Sequence, residues 1–279
     1  MSIHCGYCSI NIIQFFDGQS MRIIPNMIHA EPWRMHFLAS AVVRDARPLA
    51  IALAGGGCSP RIYDGVSVNG CLLLEVDWMQ GPGPYTPEAV AGRLAEDLSR
   101  RAAPTVLLGH SLGGVIVLLT ALLAPAVVQA VVVSNTGPHT RDHGDTSLPE
   151  RIRSRWTREV RRAFLQACFF RAPPPALMRE LEQYLDAQSP DALLEAIEGL
   201  RRIDLSADLP SIRCPALVAH GEFDRRRGVV DARRLVALIP GAELVLLPGG
   251  HTPMVDCVDA YNDALNAFLA RHLRATQSP

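Results

Sequence analysis

The sequence predicts an α/β fold, in which a mostly parallel sheet is covered by helices on both faces and carries a helical insertion. From residue 48 onward, short apolar runs alternate with segments of helical periodicity, which is the pattern of strands joined by helical crossovers. The strand pattern stops between Gly137 and Leu205 and then resumes. The length of 279 residues and the hydrophobic fraction of 48% suit one large core with an insertion better than two unrelated domains.

Six apolar runs are the predicted strands. Each run is short, is rich in aliphatic and β-branched residues, and ends at a loop that contains Gly, Asp, His or Asn. In open α/β sheets, ligands bind beyond the carboxyl ends of the strands, so functional residues are expected in these loops. The runs cover residues 49–54, 71–76, 105–108, 130–134, 216–220 and 243–247.

Helical patterns fill the gaps between these runs, at residues 87–101, 112–123, 230–239 and 255–273. Residues 113–133 contain no charged side chain and are about as long as a membrane span. Pro125 and Gln129 divide this stretch, so we predict a core helix followed by a buried strand and no membrane association.

The insertion is predicted to be a helical cap, residues 138–202, over the strand ends of a core formed by residues 46–137 and 203–279. Two or three amphipathic helices are expected between residues 148 and 202, broken at Pro173-Pro174-Pro175 and at Ser189-Pro190. Arginines are dense here and are expected to form a solvated helix face; the alternative is that one points inward and binds a substrate carboxylate. These are Arg151, Arg153, Arg155, Arg158, Arg161, Arg162 and Arg171.

The first 45 residues form an N-terminal segment with possible edge strands. Residues 10–16 and 21–24 could pair as a hairpin around an Asp17-Gly18 turn, and residues 35–43 could form a further strand. These strands would extend the sheet in antiparallel orientation. A partly disordered extension is the alternative.

The composition excludes several classes of function. The net charge of −1 provides no electrostatic basis for binding nucleic acid. All 27 Lys+Arg residues are arginines, which excludes Schiff-base chemistry, pyridoxal phosphate anchoring and a Walker lysine. The seven cysteines are odd in number and scattered, and no secretory leader pattern precedes them, which favours the cytoplasm. Cys5 and Cys8 form a lone CxxC motif without a partner motif at zinc-finger spacing, so neither a metal ion nor a cofactor is expected.

The strongest local signal is a G-x-S-x-G motif between the predicted strand 105–108 and the predicted helix 112–123. The flanking glycines permit a sharp turn at which strand and helix approach too closely for side chains. Such an elbow exposes the serine hydroxyl, so Ser111 is the predicted nucleophile. The motif is Gly109-His110-Ser111-Leu112-Gly113, followed by Gly114.

A serine nucleophile needs a base to take its proton, and the base needs an acid to hold its tautomer. His251 follows the strand 243–247 and Asp224 follows the strand 216–220, so both are predicted to lie at strand ends near Ser111. Asp142 and Asp145 compete for the role of the acid. They lie at the polar entry to the insertion, where a carboxylate more often belongs to a turn, and we therefore prefer Asp224.

The oxyanion of acyl transfer needs two backbone N–H donors. Leu112 is the expected first donor, because it follows the nucleophile and begins a helix whose dipole favours negative charge. The loop 54–59 is expected to supply the second donor. Its three consecutive glycines would allow close approach of the backbone to a ligand, although they would equally suit a plain tight turn.

Over residues 35–275 the chain resembles the α/β-hydrolase superfamily, for which the order Ser111, Asp224, His251 is specific. Segments around Ser134-Asn135-Thr136 and Glu150-Arg151-Ile152 are similar to its cap-bearing enol-lactonase and carboxylesterase branch. Where the family usually has His-Gly after the first core strand, this chain has Ala54-Gly55, so the resemblance implies Gly56 as the second oxyanion donor. The family's Asp-x-x-Gly-x-Gly loop is one residue longer here.

The resemblance implies a cofactor-independent serine hydrolase that cleaves a small carboxylic ester or lactone through an acyl-serine. Haloalkane dehalogenases and epoxide hydrolases of this fold have Asp at the position of Ser111, and plant-type hydroxynitrile lyases use a lysine that this chain lacks. A thioesterase, a C–C hydrolase and a perhydrolase could use the same triad. A ligand-binding or biosynthetic protein without hydrolytic activity is the alternative from another class.

Overall fold

The computed structural model describes residues 2–5, 8–11, 20–22, 47–81, 83–141 and 145–273. Its centre is a seven-stranded parallel sheet with the order β3-β5-β4-β6-β7-β8-β9. A separate antiparallel hairpin comprises β1 (Ser2–Cys5) and β2 (Cys8–Asn11). The sheet strands are β3 Ser20–Arg22, β4 Leu49–Leu53, β5 Leu72–Val76, β6 Thr105–His110, β7 Val128–Ser134, β8 Ala216–Gly221 and β9 Glu243–Leu247.

The six strands predicted from the apolar runs are confirmed, and their burial explains why the runs are continuous. Every residue of β4, β6 and β8 is buried, because helices cover both faces of a parallel sheet. β9 lies at the edge of the sheet, and four of its five residues are only partly buried or exposed. The central position of β6 places the end of this strand, and the elbow that follows it, in the middle of the carboxyl edge.

Outside the insertion, the described residues form the helices α1 Pro87–Arg101, α2 Leu112–Leu123, α7 Val229–Leu238, α8 Pro253–Asp256 and α9 Val258–His272. The uncharged stretch is the buried helix α2 followed by β7, as predicted. The predicted helix 255–273 is divided at Cys257, whose backbone (φ −150°, ψ 58°) is not helical. Across the described residues, no helix is long and apolar enough to cross a membrane.

Four helices lie between β7 and β8: α3 Leu148–Arg155, α4 Arg158–Gln166, α5 Pro175–Ala187 and α6 Pro190–Arg202. The proline breaks occur where they were predicted, since α5 and α6 each begin with a proline. One further break was missed: Thr157 caps α4, its hydroxyl accepting a hydrogen bond from the N–H of Val160.

These helices lie against the loop that follows β4. A Cβ atom on Gly57 would be 3.0 Å from Leu185 of α5 and 3.4 Å from Leu193 of α6. α6 also packs against α1 and α2. Helices α5 and α6 therefore make apolar contacts with the loop that follows β4.

The N-terminal prediction differs from the structure in strand pairing and in strand direction. Ile10 and Asn11 belong to β2 and pair with β1, and not with residues 21–24 as predicted. β3 pairs with β5 in parallel orientation at the sheet edge, and not antiparallel. The long connection from Arg22 to Leu49 permits this arrangement, because parallel strands require a crossover and cannot be joined by a tight turn. Residues 12–16, the Asp17-Gly18 turn and residues 35–43 lie outside the described residues.

Candidate active site

Ser111 lies in a strained turn between β6 and α2. Its backbone has φ 54° and ψ −118°, a conformation that non-glycine residues rarely adopt. The turn is tight because its two flanking glycines lie against backbone atoms. A Cβ atom on Gly109 would be 2.5 Å from the Gly113 oxygen, and a Cβ atom on Gly113 would be 2.3 Å from the Leu53 oxygen. The Ser111 N–H donates to the Ser134 oxygen at 2.9 Å. Local sequence and neighbouring strands together hold this serine at the rim of the sheet.

His251 lies between Ser111 and Asp224. Its Nε2 is 3.1 Å from the Ser111 Oγ, and its Nδ1 is 2.8 Å from an Asp224 oxygen. An ionised carboxylate can only accept hydrogen bonds, so Nδ1 carries the proton that it donates to Asp224. The Nε2 lone pair is then directed at the serine hydroxyl. The structure thus brings the three predicted residues into one hydrogen-bonded chain.

Asp224 is held in its ionised form by its surroundings. Its side chain is fully buried, which alone would raise the pKa, but the charge and hydrogen bond of His251 and the amide of Asn135 outweigh burial and lower the pKa below its usual range. The backbone N–H groups of Arg226 and Arg227 donate to the second carboxylate oxygen at 2.7 and 3.0 Å. An ionised carboxylate at this position can accept the hydrogen bond that orients the His251 ring.

The competing acids are placed differently. Asp145 forms an ion pair with Arg151 of α3 and accepts a hydrogen bond from Ser147. Asp142 lies outside the described residues. The geometry therefore brings Asp224 to His251, while Asp145 joins the entry of the insertion to its first helix.

Asn135 supports Asp224 and was not predicted as a site residue. Its side-chain amide donates to Asp224 at 2.7 Å and to the Gly250 oxygen at 3.1 Å, and its Oδ1 accepts from the Gly221 N–H at 3.3 Å. It is completely buried and has φ 49°. Asparagine tolerates this left-handed conformation better than most residues. An Asn directly after a buried strand was the signal that could have revealed it.

His110 is a second supporting residue. It is buried, and burial together with the neighbouring His251 lowers the pKa of its imidazole to about 3, so the ring is neutral. Its Nε2 lies 2.8 Å from the His251 backbone oxygen and donates to it, since a carbonyl can only accept. This bond ties the strand before Ser111 to the loop that carries the histidine.

The glycine loop after β4 is tethered from outside its own sequence. The indole N–H of Trp78 donates to the Ala54 oxygen at 2.9 Å, and the Gly57 N–H donates to the Met79 sulfur at 3.2 Å. These two contacts hold the loop at Ala54 and Gly57. A Cβ atom on Gly56 would lie 3.2 Å from Leu112, so the two predicted oxyanion donors are close neighbours.

A pocket opens beside Ser111 and is walled partly by the sheet loops and partly by the insertion. Most of its wall is apolar, with Thr140 as a neutral polar contributor and Arg201 and Arg226 as charged ones. The described part of the chain contains no cluster of three His, Cys, Asp or Glu residues suited to a metal ion. The lining residues are Gly55, Gly56, Cys58, His110, Ser111, Leu112, Thr140, Leu148, Phe164, Leu165, Cys168, Ile197, Leu200, Arg201, Arg226 and His251.

Comparisons with known proteins agree with this fold. A model of the alpha/beta hydrolase family matches residues 27–264. The polyketide synthase ThaQ of Burkholderia thailandensis is 34% identical over 208 residues, which are 70% of this chain but only 10% of that protein. The putative carbamate hydrolase RutD of Klebsiella pneumoniae subsp. pneumoniae is 31% identical over 67% of this chain and 76% of its own length. The solved enol-lactonase of Burkholderia xenovorans superposes with a TM-score of 0.72 at 19% identity, covering 82% of this chain and 93% of that one.

Proposed function

The chain belongs to the alpha/beta hydrolase family, and we propose that it is a serine hydrolase that cleaves a small carboxylic ester or lactone through an acyl-serine intermediate. The observation that carries this proposal is the hydrogen-bonded chain from Ser111 through His251 to Asp224. A serine in a strained elbow, with a histidine in the required tautomer at 3.1 Å, has the parts needed for nucleophilic attack.

In the first half of the reaction, the Ser111 Oγ attacks the substrate carbonyl while His251 Nε2 takes the hydroxyl proton. Asp224 stabilises the imidazolium that forms. The tetrahedral intermediate collapses when His251 gives the proton to the leaving alkoxide, which leaves Ser111 acylated. The alkoxide of an ester departs as an alcohol, whereas that of a lactone becomes a hydroxyl group that stays on the acyl chain. Water then attacks the acyl group with His251 again as base, the bond between the acyl carbon and Ser111 Oγ breaks, and His251 returns the proton to Ser111 as the carboxylic acid is released.

The backbone N–H groups of Gly56 and Leu112 are the proposed donors to the oxyanion. Both residues line the pocket beside Ser111. Leu112 begins α2, whose dipole favours negative charge at this end. The tethers from Trp78 and Met79 support the role of Gly56, because a donor lowers the barrier only if it is already in place when charge develops.

We further propose that residues 138–202 act as a cap on the core formed by residues 46–137 and 203–279. Leu148, Phe164 and Ile197 of the insertion line the pocket and would contact the body of the substrate. The names of the relatives support carbonyl substrates, since one is a carbamate hydrolase and a structural neighbour is an enol-lactonase. Free thiols favour a reducing compartment such as the cytoplasm, and they are found at Cys58, Cys71, Cys168, Cys214 and Cys257.

The test combines covalent labelling of the serine with measurements of ester and lactone hydrolysis. A fluorophosphonate probe should label Ser111 stoichiometrically, and 4-nitrophenyl esters of graded chain length, together with several lactones, should identify the preferred acyl group. Ser111→Ala should lower kcat by about 10⁴–10⁶ with an unchanged fold, because the three residues act as a unit. Ser154→Ala, which alters an exposed serine of α3, is the control and should keep full activity.

Two results would overturn the proposal. One is an unlabelled Ser111 in active protein. The other is turnover by Ser111→Ala within tenfold of the unaltered protein.

A further inference from the structure

The charged residues that line the pocket beside Ser111 are both arginines. Arg201 of α6 and Arg226 of the loop after β8 contribute the charged groups to its lining, and no carboxylate is among the described residues that line it. The two pocket histidines, His110 and His251, do not offset this charge, because an imidazole ring does not supply a negative charge at neutral pH. An otherwise apolar pocket with two guanidinium groups is suited to a ligand that brings negative charge.

Arg226 is held in the pocket wall by contacts on two sides. Its guanidinium carbon lies 4.5 Å from the centre of the Phe164 ring, and its Nη1 donates to the Phe164 oxygen at 3.4 Å. Its backbone N–H donates to Asp224 at 2.7 Å, so the loop position is coupled to the proposed triad. These contacts orient the guanidinium, which has five N–H donors, and use only one of them.

The charge of Arg226 reaches the interior of the pocket. Burial raises the pKa of the Cys58 and Cys168 thiols, both of which line the pocket, and the Arg226 charge opposes this rise at each of them. Cys58 belongs to the glycine loop 54–59, and Cys168 follows α4. Both thiols therefore lie within reach of the Arg226 charge, although the carboxylates of Asp224 and Asp256 act in the opposite sense on the pKa of Cys168.

Arg201 and Arg226 differ in their partners from other arginines nearby. Arg151, Arg153, Arg161 and Arg162 of the insertion are all paired with carboxylates, and so is the buried Arg227. In the described residues, the side chains of Arg201 and Arg226 donate instead to the backbone oxygens of Asp145 and Phe164. None of the dense arginines of residues 151–171 lines the pocket, so the alternative of an inward clamp at those positions finds no support.

We infer that Arg226, assisted by Arg201, forms a carboxylate subsite, and that the preferred substrate is an ester or lactone whose acyl part carries a second, ionised carboxyl group. This inference rests on the proposed function, which it deepens by naming the substrate class. A guanidinium matches a carboxylate through two parallel N–H bonds, which fixes the direction of the acyl chain relative to Ser111. The apolar wall of the pocket between the arginines and Ser111 would then contact the methylene groups of the acyl chain.

The test compares two acyl groups of similar length in one assay. Mono-4-nitrophenyl glutarate carries the carboxylate, and 4-nitrophenyl hexanoate is the neutral counterpart. Arg226→Gln should raise KM for the glutarate ester by about 10-fold or more, as expected for loss of a charge-assisted pair, while KM for the hexanoate ester changes less than about twofold. Arg226→Lys should recover part of the preference, and Arg201→Gln should have a smaller effect in the same direction.

The neighbouring Arg225 provides a matched control, because it is exposed, lies in the same loop and does not line the pocket. Arg225→Gln should leave both KM values unchanged. Equal effects of Arg226→Gln on both esters, or a preference of the unaltered protein for the hexanoate ester, would overturn the inference.

A binding measurement separates failure of this inference from failure of the proposed function. In the Ser111→Ala background, calorimetry with monomethyl glutarate, a monoanion, should show binding that Arg226→Gln weakens about 10-fold. Dimethyl glutarate should bind more weakly and respond little to the same change. Selective binding of the anion would support the subsite even if no ester were hydrolysed, whereas equal binding of both compounds would refute it.

Discussion

Replacing Asp77 by Asn should flatten the pH dependence of stability, because this carboxyl group is buried between a core loop and the insertion. Asp77 follows β5, and its Oδ1 accepts a hydrogen bond from the Tyr184 hydroxyl of α5 at 2.6 Å. Burial raises its pKa from 3.8 to about 6, although the Tyr184 hydroxyl and the N–H groups of Met79 and Gln80 favour the ionised form. Removal from water thus outweighs three hydrogen bonds.

The size and sign of the effect follow from this pKa. A carboxyl whose folded-state pKa is raised contributes most stability below its unfolded pKa, near 4, and loses that contribution as pH rises through about 6. The full difference between the two limits is about 3 kcal/mol, at about 1.4 kcal/mol per pKa unit. Between pH 4 and pH 7, the loss should amount to about 2 kcal/mol.

The assay is urea unfolding followed by tryptophan fluorescence at several pH values from 4 to 7. The free energy of unfolding of the unaltered protein, relative to that of Asp77→Asn, should fall by about 2 kcal/mol over this range. The Asn side chain does not titrate, so its contribution to the free energy of unfolding does not depend on pH. Any hydrogen bonding that the variant loses lowers the free energy of unfolding by the same amount at every pH. Asp186→Asn, at an exposed ion pair of the same helix, is the control and should run parallel to the unaltered protein. Parallel curves for Asp77→Asn would refute the reasoning.

Two further predictions concern the site and its elbow. Asp224→Asn should lower kcat by about 10⁴ with little change in KM, because His251 would no longer be held in the required tautomer. Asp145→Asn should lower kcat by less than about tenfold, and ester hydrolysis measures both variants. A larger loss of kcat in Asp145→Asn than in Asp224→Asn would assign the acid to the earlier loop. Gly113→Ala should destabilise the protein by about 1–3 kcal/mol, because the added Cβ would meet backbone oxygens. The control is Gly92→Ala, whose Cβ would meet nothing within 4 Å, and the two variants are compared by their urea midpoints. Gly92 lies within α1, so its replacement should stabilise, and equal midpoints for the two variants would contradict the steric argument.

Elements with local signals were predicted closely. Helix α1 has its predicted bounds, since Thr86 caps it, Pro87 begins it and Ala102 ends it in a left-handed conformation. The missed break at Thr157 had a local signal too, but a threonine inside a charged, amphipathic stretch is compatible with a continuing helix. Strand direction at the N-terminus had no local signal, because pairing partners are chosen in space.

The sequence by itself determined the fold class, the position of the elbow and the candidates Ser111, Asp224 and His251. All of these follow from patterns within a few residues and from the rule that strand ends meet at one edge of a parallel sheet. Only the tertiary structure decided that Asn135 contacts Asp224, that Trp78 tethers the glycine loop, and that the pocket arginines are not those of the dense cluster. The physical reason is that these contacts join residues far apart in the chain, and the direction of a side chain is set by the packing of the elements that surround it.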